Sequence, residues 1–192
     1  SVPLLWALMS NKNEECYANI FQLVKREFPN LKITKCMSDF ETAIENAAKS
    51  TFPGVVIKHC YFHYAQAIQK NAKRLGLVGK KTNKYTHPEI YIVLSQIKYL
   101  AILPAEFIEE TYERIKAYCR DEFGELFDEF FDYYERQWIK KVKPEGFTVY
   151  DMDGDRTDNW SESRQRDRNN DLKKNPYPNI FIILQKFVCI EA

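Results

Sequence analysis

The stretch KITKCMSDFETAI, residues 32–44, decides how this chain is read. Leu31 to Met37 predicts a strand. Ala43, Ile44 and Ala47 share one face of a helix predicted over Phe40–Ser50. Asp39 lies where the two meet, and it has two readings. Ser38 and Glu41 stand at the spacing of a capping box, which puts Asp39 in the first helical turn, where a negative charge gains ~0.5 kcal/mol from the helix dipole. The other reading starts from the strand. The carboxyl ends of parallel strands are where α/β sheets place ligand groups, so Asp39 is also a candidate metal ligand.

Working outward, Val2–Met9 predicts a buried strand. Tyr17, Ile20, Phe21, Val24 and Phe28 then fall at helical spacing. Glu14 and Glu15 at the start of that helix and Lys25 and Arg26 near its end suit the dipole, and Pro29 and Asn30 stop it. After the Pro53–Gly54 turn, Val55–Ile57 predicts a third strand. Strand, helix, strand, helix, strand argues an α/β core with a partly parallel sheet.

The character changes after residue 60. A helix is predicted over Tyr64–Leu75, followed by a Lys-rich connection, GLVGKKTNKYTHP (76–88). Ile90, Leu94, Ile97 and Ala101 mark the next helix. Phe107, Ile108, Tyr112, Ile115 and Cys119 mark another, with Pro104 in its first turn. Phe123, Phe127, Phe130, Tyr134 and Trp138 mark a third, which Pro144 and Gly146 end. An acidic loop, YDMDGDRTDNW (150–160), precedes a helix over Trp160–Leu172 and a last one from Ile180. The expected division is a core part over 1–60, an all-helical insertion over 61–145, and a return to the core over 146–192.

Over its 192 residues the chain carries a net charge of +1, so no global basic field advertises nucleic acid, and any such contact must come from a local patch. Five scattered cysteines without a Cys-x-x-Cys pair predict a reducing setting rather than a disulfide framework. No apolar run is long enough to cross a membrane. Apolar runs stand at both ends, VPLLWALM (2–9) and IFIILQKFVCIEA (180–192), which predicts a fragment cut through structured elements.

Three further groups carry chemistry. Cys60 and His63 in HCYFHY offer soft ligands with two residues between them, but this is half a zinc site, and a buried Cys with a hydrogen-bonded His among aromatics is the favoured reading. His59 reads as a bystander. Asp151, Asp153, Asp155, Asn159 and Glu162 have calcium-loop spacing, yet Arg156 holds the position that needs Gly and Asp158 the one that needs an apolar residue. Lys70, Lys73, Arg74, Lys80, Lys81 and Lys84, beside Tyr85, form one basic patch. Arg164, Arg166, Arg168, Lys173 and Lys174 form another. Such clusters neutralise phosphates when they flank a cleft and are solvated faces otherwise.

Taken in order, VPLLWALM (2–9), NEECY (13–17), SDFETAI (38–44), HCYFHYAQAI (59–68), LAILP (100–104), RTDNWSES (156–163) and NPYPNI (175–180) resemble the Mutator-like (MULE) transposase domain over nearly the whole chain. The resemblance implies an RNase H-like core, with a mixed sheet whose first strands lie upstream of residue 1 and an all-helical insertion before the last catalytic acid. It implies a DDE-type DNA transposase that cleaves and transfers DNA strands with Mg²⁺ or Mn²⁺. Such chemistry uses two divalent ions about 4 Å apart, held by carboxylates. Asp39 corresponds to the second acid of the triad and Glu162 to the third, with 122 residues between them. The first acid belongs upstream, so the fragment alone is expected to be inactive.

Cys60 and His63 match the family's Cys-x-x-His signature, a structural or DNA-proximal element where zinc is the weaker reading. Arg156 and Asn159 precede the catalytic Glu, placed to orient its carboxylate or hold a phosphate. With Arg164, Lys80 and Lys81 they are the candidate DNA contacts. The family usually has Asn where this chain has Asp158, and an aromatic or His where SRQRDR (163–168) follows Glu162. Expected partners are transposon ends, target DNA and a second copy of the chain, without a membrane, in the nucleus. The alternative is a domesticated, transposase-derived protein that binds DNA or regulates transcription without cutting. Retention of Asp39 and Glu162 leans against it.

Overall fold

The fold is that of a computed structural model, which describes residues 5, 7, 9–79 and 84–152. All of these lie in one unit, Val2–Thr157. Helix α1 covers Glu14–Glu27 and is capped by Asn13, whose side chain accepts from the Cys16 amide at 2.8 Å. Its acidic start and basic end are as expected. The strand predicted over Val2–Met9 falls mainly outside the described residues, and Leu5, Ala7 and Met9 are not in a strand.

Strand β1 (Lys35–Ser38), helix α2 (Thr42–Thr51) and strand β2 (Val56–His59) come next. The strands pair in parallel, with Met37 beside Lys58 and Ser38 beside His59. The parallel α/β unit expected from the sequence is therefore present, as a two-stranded sheet among the described residues. Leu31–Thr34 precede the strand rather than join it, and Leu31 is exposed. Helices α1 and α2 lie against each other. Phe21 meets Phe52 with ring centroids 5.6 Å apart, and Asn46 donates to Glu14 at 3.0 Å.

The capping box is overturned. Phe40 takes a left-handed backbone, φ 67°, which no α-helix can include, so the helix starts later and Glu41 becomes its N-cap without a side-chain cap bond. Ser38 belongs to β1, and its hydroxyl lies 3.3 Å from His59 Nδ1. The Glu41 carboxylate turns away to accept from Tyr17 Oη at 3.0 Å. Asp39 is thus in the turn after β1, not in the first turn of a helix.

From Tyr61 to Phe147 the described chain is nearly all helical: α3 (Tyr61–Arg74), α4 (Pro88–Tyr99), α5 (Ala105–Phe123), α6 (Asp128–Tyr134) and the one-turn α7 (Pro144–Phe147). Pro104 stands just outside α5 as its N-cap rather than in its first turn. The single helix predicted through Phe123 and Trp138 is three pieces. Gly124, at φ 60°, ends α5. A short 3₁₀ turn over Gly124–Phe127 leads into α6, after which the chain widens into a π-helical segment, Glu135–Val142. The predicted inward face survives these breaks, with Phe127, Phe130, Tyr134 and Trp138 all buried. Pro144 begins α7 instead of ending a helix, a position where its missing N–H costs nothing.

The core of this block centres on Tyr64. Its ring stacks on Phe147 at 5.0 Å, and its hydroxyl donates to the Ile97 carbonyl at 2.7 Å and meets the Tyr134 hydroxyl at 2.8 Å. Burial pushes the Tyr64 and Tyr134 phenols well above their ordinary range, so both stay protonated. Past α7, the Val149 amide donates to the Ala101 carbonyl at 2.7 Å, and Lys58 of β2 pairs with Asp151 at 2.7 Å.

Candidate active site at the ends of the parallel strands

The carboxyl ends of β1 and β2 stand side by side, tied by the Cys60 amide donating to the Ser38 carbonyl at 3.1 Å. This is the place where a parallel sheet exposes the residues beyond its strand ends. Asp39 leaves β1 there. It is exposed, and its carboxylate makes no hydrogen bond or ion pair with the described residues. An uncommitted oxygen donor in this position fits a hard divalent cation.

Next to the Asp39 turn, the end of β2 is buried. His59 ends β2 and is 7 % exposed. Its Nδ1 faces the Ser38 hydroxyl, and its Nε2 lies 3.6 Å from Glu45 Oε1. Burial holds the imidazole down at about 4, against an ordinary value of 6.5, and burial also raises the Glu45 carboxyl. At neutral pH His59 is therefore uncharged, and its contact with Glu45 is not an ion pair. The Phe40 ring stacks on the imidazole, centroids 4.1 Å apart and planes 16° from parallel. His59 thus packs among Ser38, Glu45 and Phe40 at the strand ends. What marks it is its register opposite Ser38, which becomes visible only once the strands are paired.

Beside this, Tyr17 of α1 donates to Glu41, and its phenol is pushed up to about 12 by burial and by that carboxylate. Glu41 also has Lys12 at 3.8 Å. The second carboxylate near Asp39 is therefore engaged, whereas that of Asp39 has no such partner among the described residues.

Cys60 is fully buried and is the N-cap residue of α3, and His63 lies in that helix's first turn. Among the described residues no three His, Cys, Asp or Glu side chains are grouped to hold a metal ion. Lys70 and Arg74 are exposed on α3. Glu162, Arg156, Asn159, Arg164, Lys80 and Lys81 lie outside the described residues, as do the helices expected from Trp160 onward. The acidic loop begins at Asp151, whose carboxyl is held below the usual carboxylate range chiefly by its hydrogen bond with Lys58.

No helix of the described residues is long and apolar enough to cross a membrane. No curated protein and no solved structure matches the chain. The family model of the MULE transposase domain matches residues 1–67, about a third of the chain and a stretch that runs through SDFETAI and HCYFHYAQA, so this part of the chain is similar to that domain.

Proposed function

We propose that this chain supplies acidic ligands to a DDE-type DNA transposase, cleaving and transferring DNA strands with Mg²⁺ or Mn²⁺ on an RNase H-like core. The observation that carries the proposal is Asp39: an exposed carboxylate at the carboxyl end of a parallel strand, with no hydrogen bond or ion pair among the described residues, inside the stretch that the transposase-domain model matches. A transposase domain implies interaction with DNA in general, and work on chromosomal DNA calls for the nucleus.

In this reading Asp39 and Glu162 are the acidic ligands. Bound divalent ions would activate the attacking oxygen and stabilise the leaving one in an in-line phosphoryl transfer. Asp39 contributes charge and direction, fixed by the strand end on which it sits. Arg156 and Asn159 orient Glu162 or hold a phosphate oxygen, and Arg164, Lys80 and Lys81 contact the DNA backbone. Cys60 belongs to the framework, since it is buried at the start of α3. A second copy of the chain is the expected partner on paired transposon ends.

Mn²⁺ titration of the 192-residue chain, followed by electron paramagnetic resonance, tests the ligand assignment. Asp39→Asn and Glu162→Gln should each weaken Mn²⁺ binding about tenfold or more, the effect of ~1.4 kcal/mol or above. Glu41→Gln, whose carboxylate is engaged by Tyr17, should bind as the wild type does. Equal affinity in wild type and Asp39→Asn removes the assignment.

A further inference from the structure

We propose that Phe40 is the positioning residue for Asp39, clamped between His59 of β2 and Trp138 of the π-helical segment, so that the helical block sets the geometry of the acidic site. The inference rests on the reading of Asp39 as a metal ligand. Phe40 comes directly after Asp39 and holds φ at 67°. A bulky side chain in the left-handed region is strained, and such residues persist only where their surroundings over-determine them. Here the surroundings are two rings. His59 stacks on one face at 4.1 Å, and Trp138 meets Phe40 edge-on at 5.1 Å and 82°.

Neither ring is free to move. His59 is buried, with its Nδ1 3.3 Å from the Ser38 hydroxyl and Glu45 Oε1 3.6 Å from its Nε2. Trp138 is 2 % exposed and packs edge-on against Tyr64 at 4.7 Å and against Phe147 at 5.8 Å. A continuous set of fixed rings therefore leads from the residue beside Asp39 into the core of the helical block. Relaxing Phe40 to an ordinary backbone would rotate the peptide between residues 39 and 40 and swing the Asp39 side chain with it. Glycine would accept this φ without strain, so the ring is not there to ease the turn. Its role is to let two separate elements grip the turn, which pre-organises a ligand that the strand end alone would leave mobile. Trp138 lies in a π-helical segment, a local widening that recurs at functional sites.

The test is Mn²⁺ titration of the full chain carrying Phe40→Gly, Phe40→Asn and Phe40→Tyr, with Asp39→Asn as reference. Gly and Asn both accept the left-handed backbone but remove the ring, whereas Tyr keeps it. We expect affinity to fall about fivefold to tenfold in Phe40→Gly and Phe40→Asn and to stay within twofold of wild type in Phe40→Tyr, with retention on DNA unchanged in all three. If Asp39→Asn lowers affinity and Phe40→Gly does not, the clamp is wrong and the ligand assignment stands. If Asp39→Asn has no effect, the ligand assignment fails first, and the clamp has no ligand to position. If both ring-less variants fail to fold, the ring serves the fold and the positioning role is overturned.

Discussion

Lys58 and Asp151 are 93 residues apart in sequence and 2.7 Å apart in space. The chain leaves the sheet after His59, builds the whole helical block, and is back beside β2 by Asp151. Glu162 is eleven residues further on in the sequence, outside the described residues.

Lys58 is nearly buried, with its side chain 13 % exposed, while Asp151 is 63 % exposed. Solvent screens such a pair, so Asp151→Asn should cost less than ~1 kcal/mol in urea denaturation at pH 7. The folded-state carboxyl titrates below its ordinary value of 3.8. The stabilisation is present above that value and is lost as pH falls through the lowered one. Wild type and Asp151→Asn should therefore converge in strongly acid solution, and a constant gap at every pH would show that Lys58 does not hold the charge.

His59 sets the mid-acid behaviour. The unfolded chain protonates this imidazole near 6.5, whereas the folded chain resists until about 4. Between these values the unfolded state binds more protons, so stability falls as pH drops through the window and levels off below it. At about 1.4 kcal/mol per pH unit the loss is on the order of 3 kcal/mol. His59→Phe keeps a ring against Phe40 and removes the titration. Its denaturation midpoint should vary less between pH 6.5 and 4 than that of the wild type. A slope equal to the wild type's would assign the acid sensitivity to another group.

The buried tyrosine pair gives an ordering. Tyr64 bonds both the Ile97 carbonyl and the Tyr134 hydroxyl. Removing its hydroxyl leaves two buried groups short of a partner, at ~1–3 kcal/mol. Tyr134→Phe leaves Tyr64 still bonded to Ile97, so its cost should be smaller, ~1 kcal/mol. Urea midpoints at pH 7 should rank wild type above Tyr134→Phe above Tyr64→Phe, and the reverse order of the two variants would refute the network.

The range of each interaction decides how far it can be read in the sequence. The inward ring face of Phe127, Phe130, Tyr134 and Trp138 is legible because it depends only on a helix-like period. The break at Gly124 and the π widening are not, because the same three- and four-residue steps survive both. The Ser38–Glu41 box is sound local grammar, but the stack of Phe40 on His59 and Trp138 overrides it, and those contacts span 19 and 98 residues of sequence. His59 carries no local mark for the same reason, since its weight comes from lying opposite Ser38. Asp39 is legible because both of its readings point to a strand exit, and that part of the local pattern holds.

The most direct measurement replaces the cation with Fe²⁺. Iron bound to carboxylates generates hydroxyl radicals with ascorbate and peroxide, and these cut the polypeptide beside the site. If Asp39 and Glu162 hold one cation, peptide mapping of the full chain should show cuts near both residues. Excess Mg²⁺ should suppress both sets, and Asp39→Asn should abolish both. Cuts near residue 39 alone, or cuts indifferent to Mg²⁺ and to Asp39→Asn, would contradict a shared acidic site.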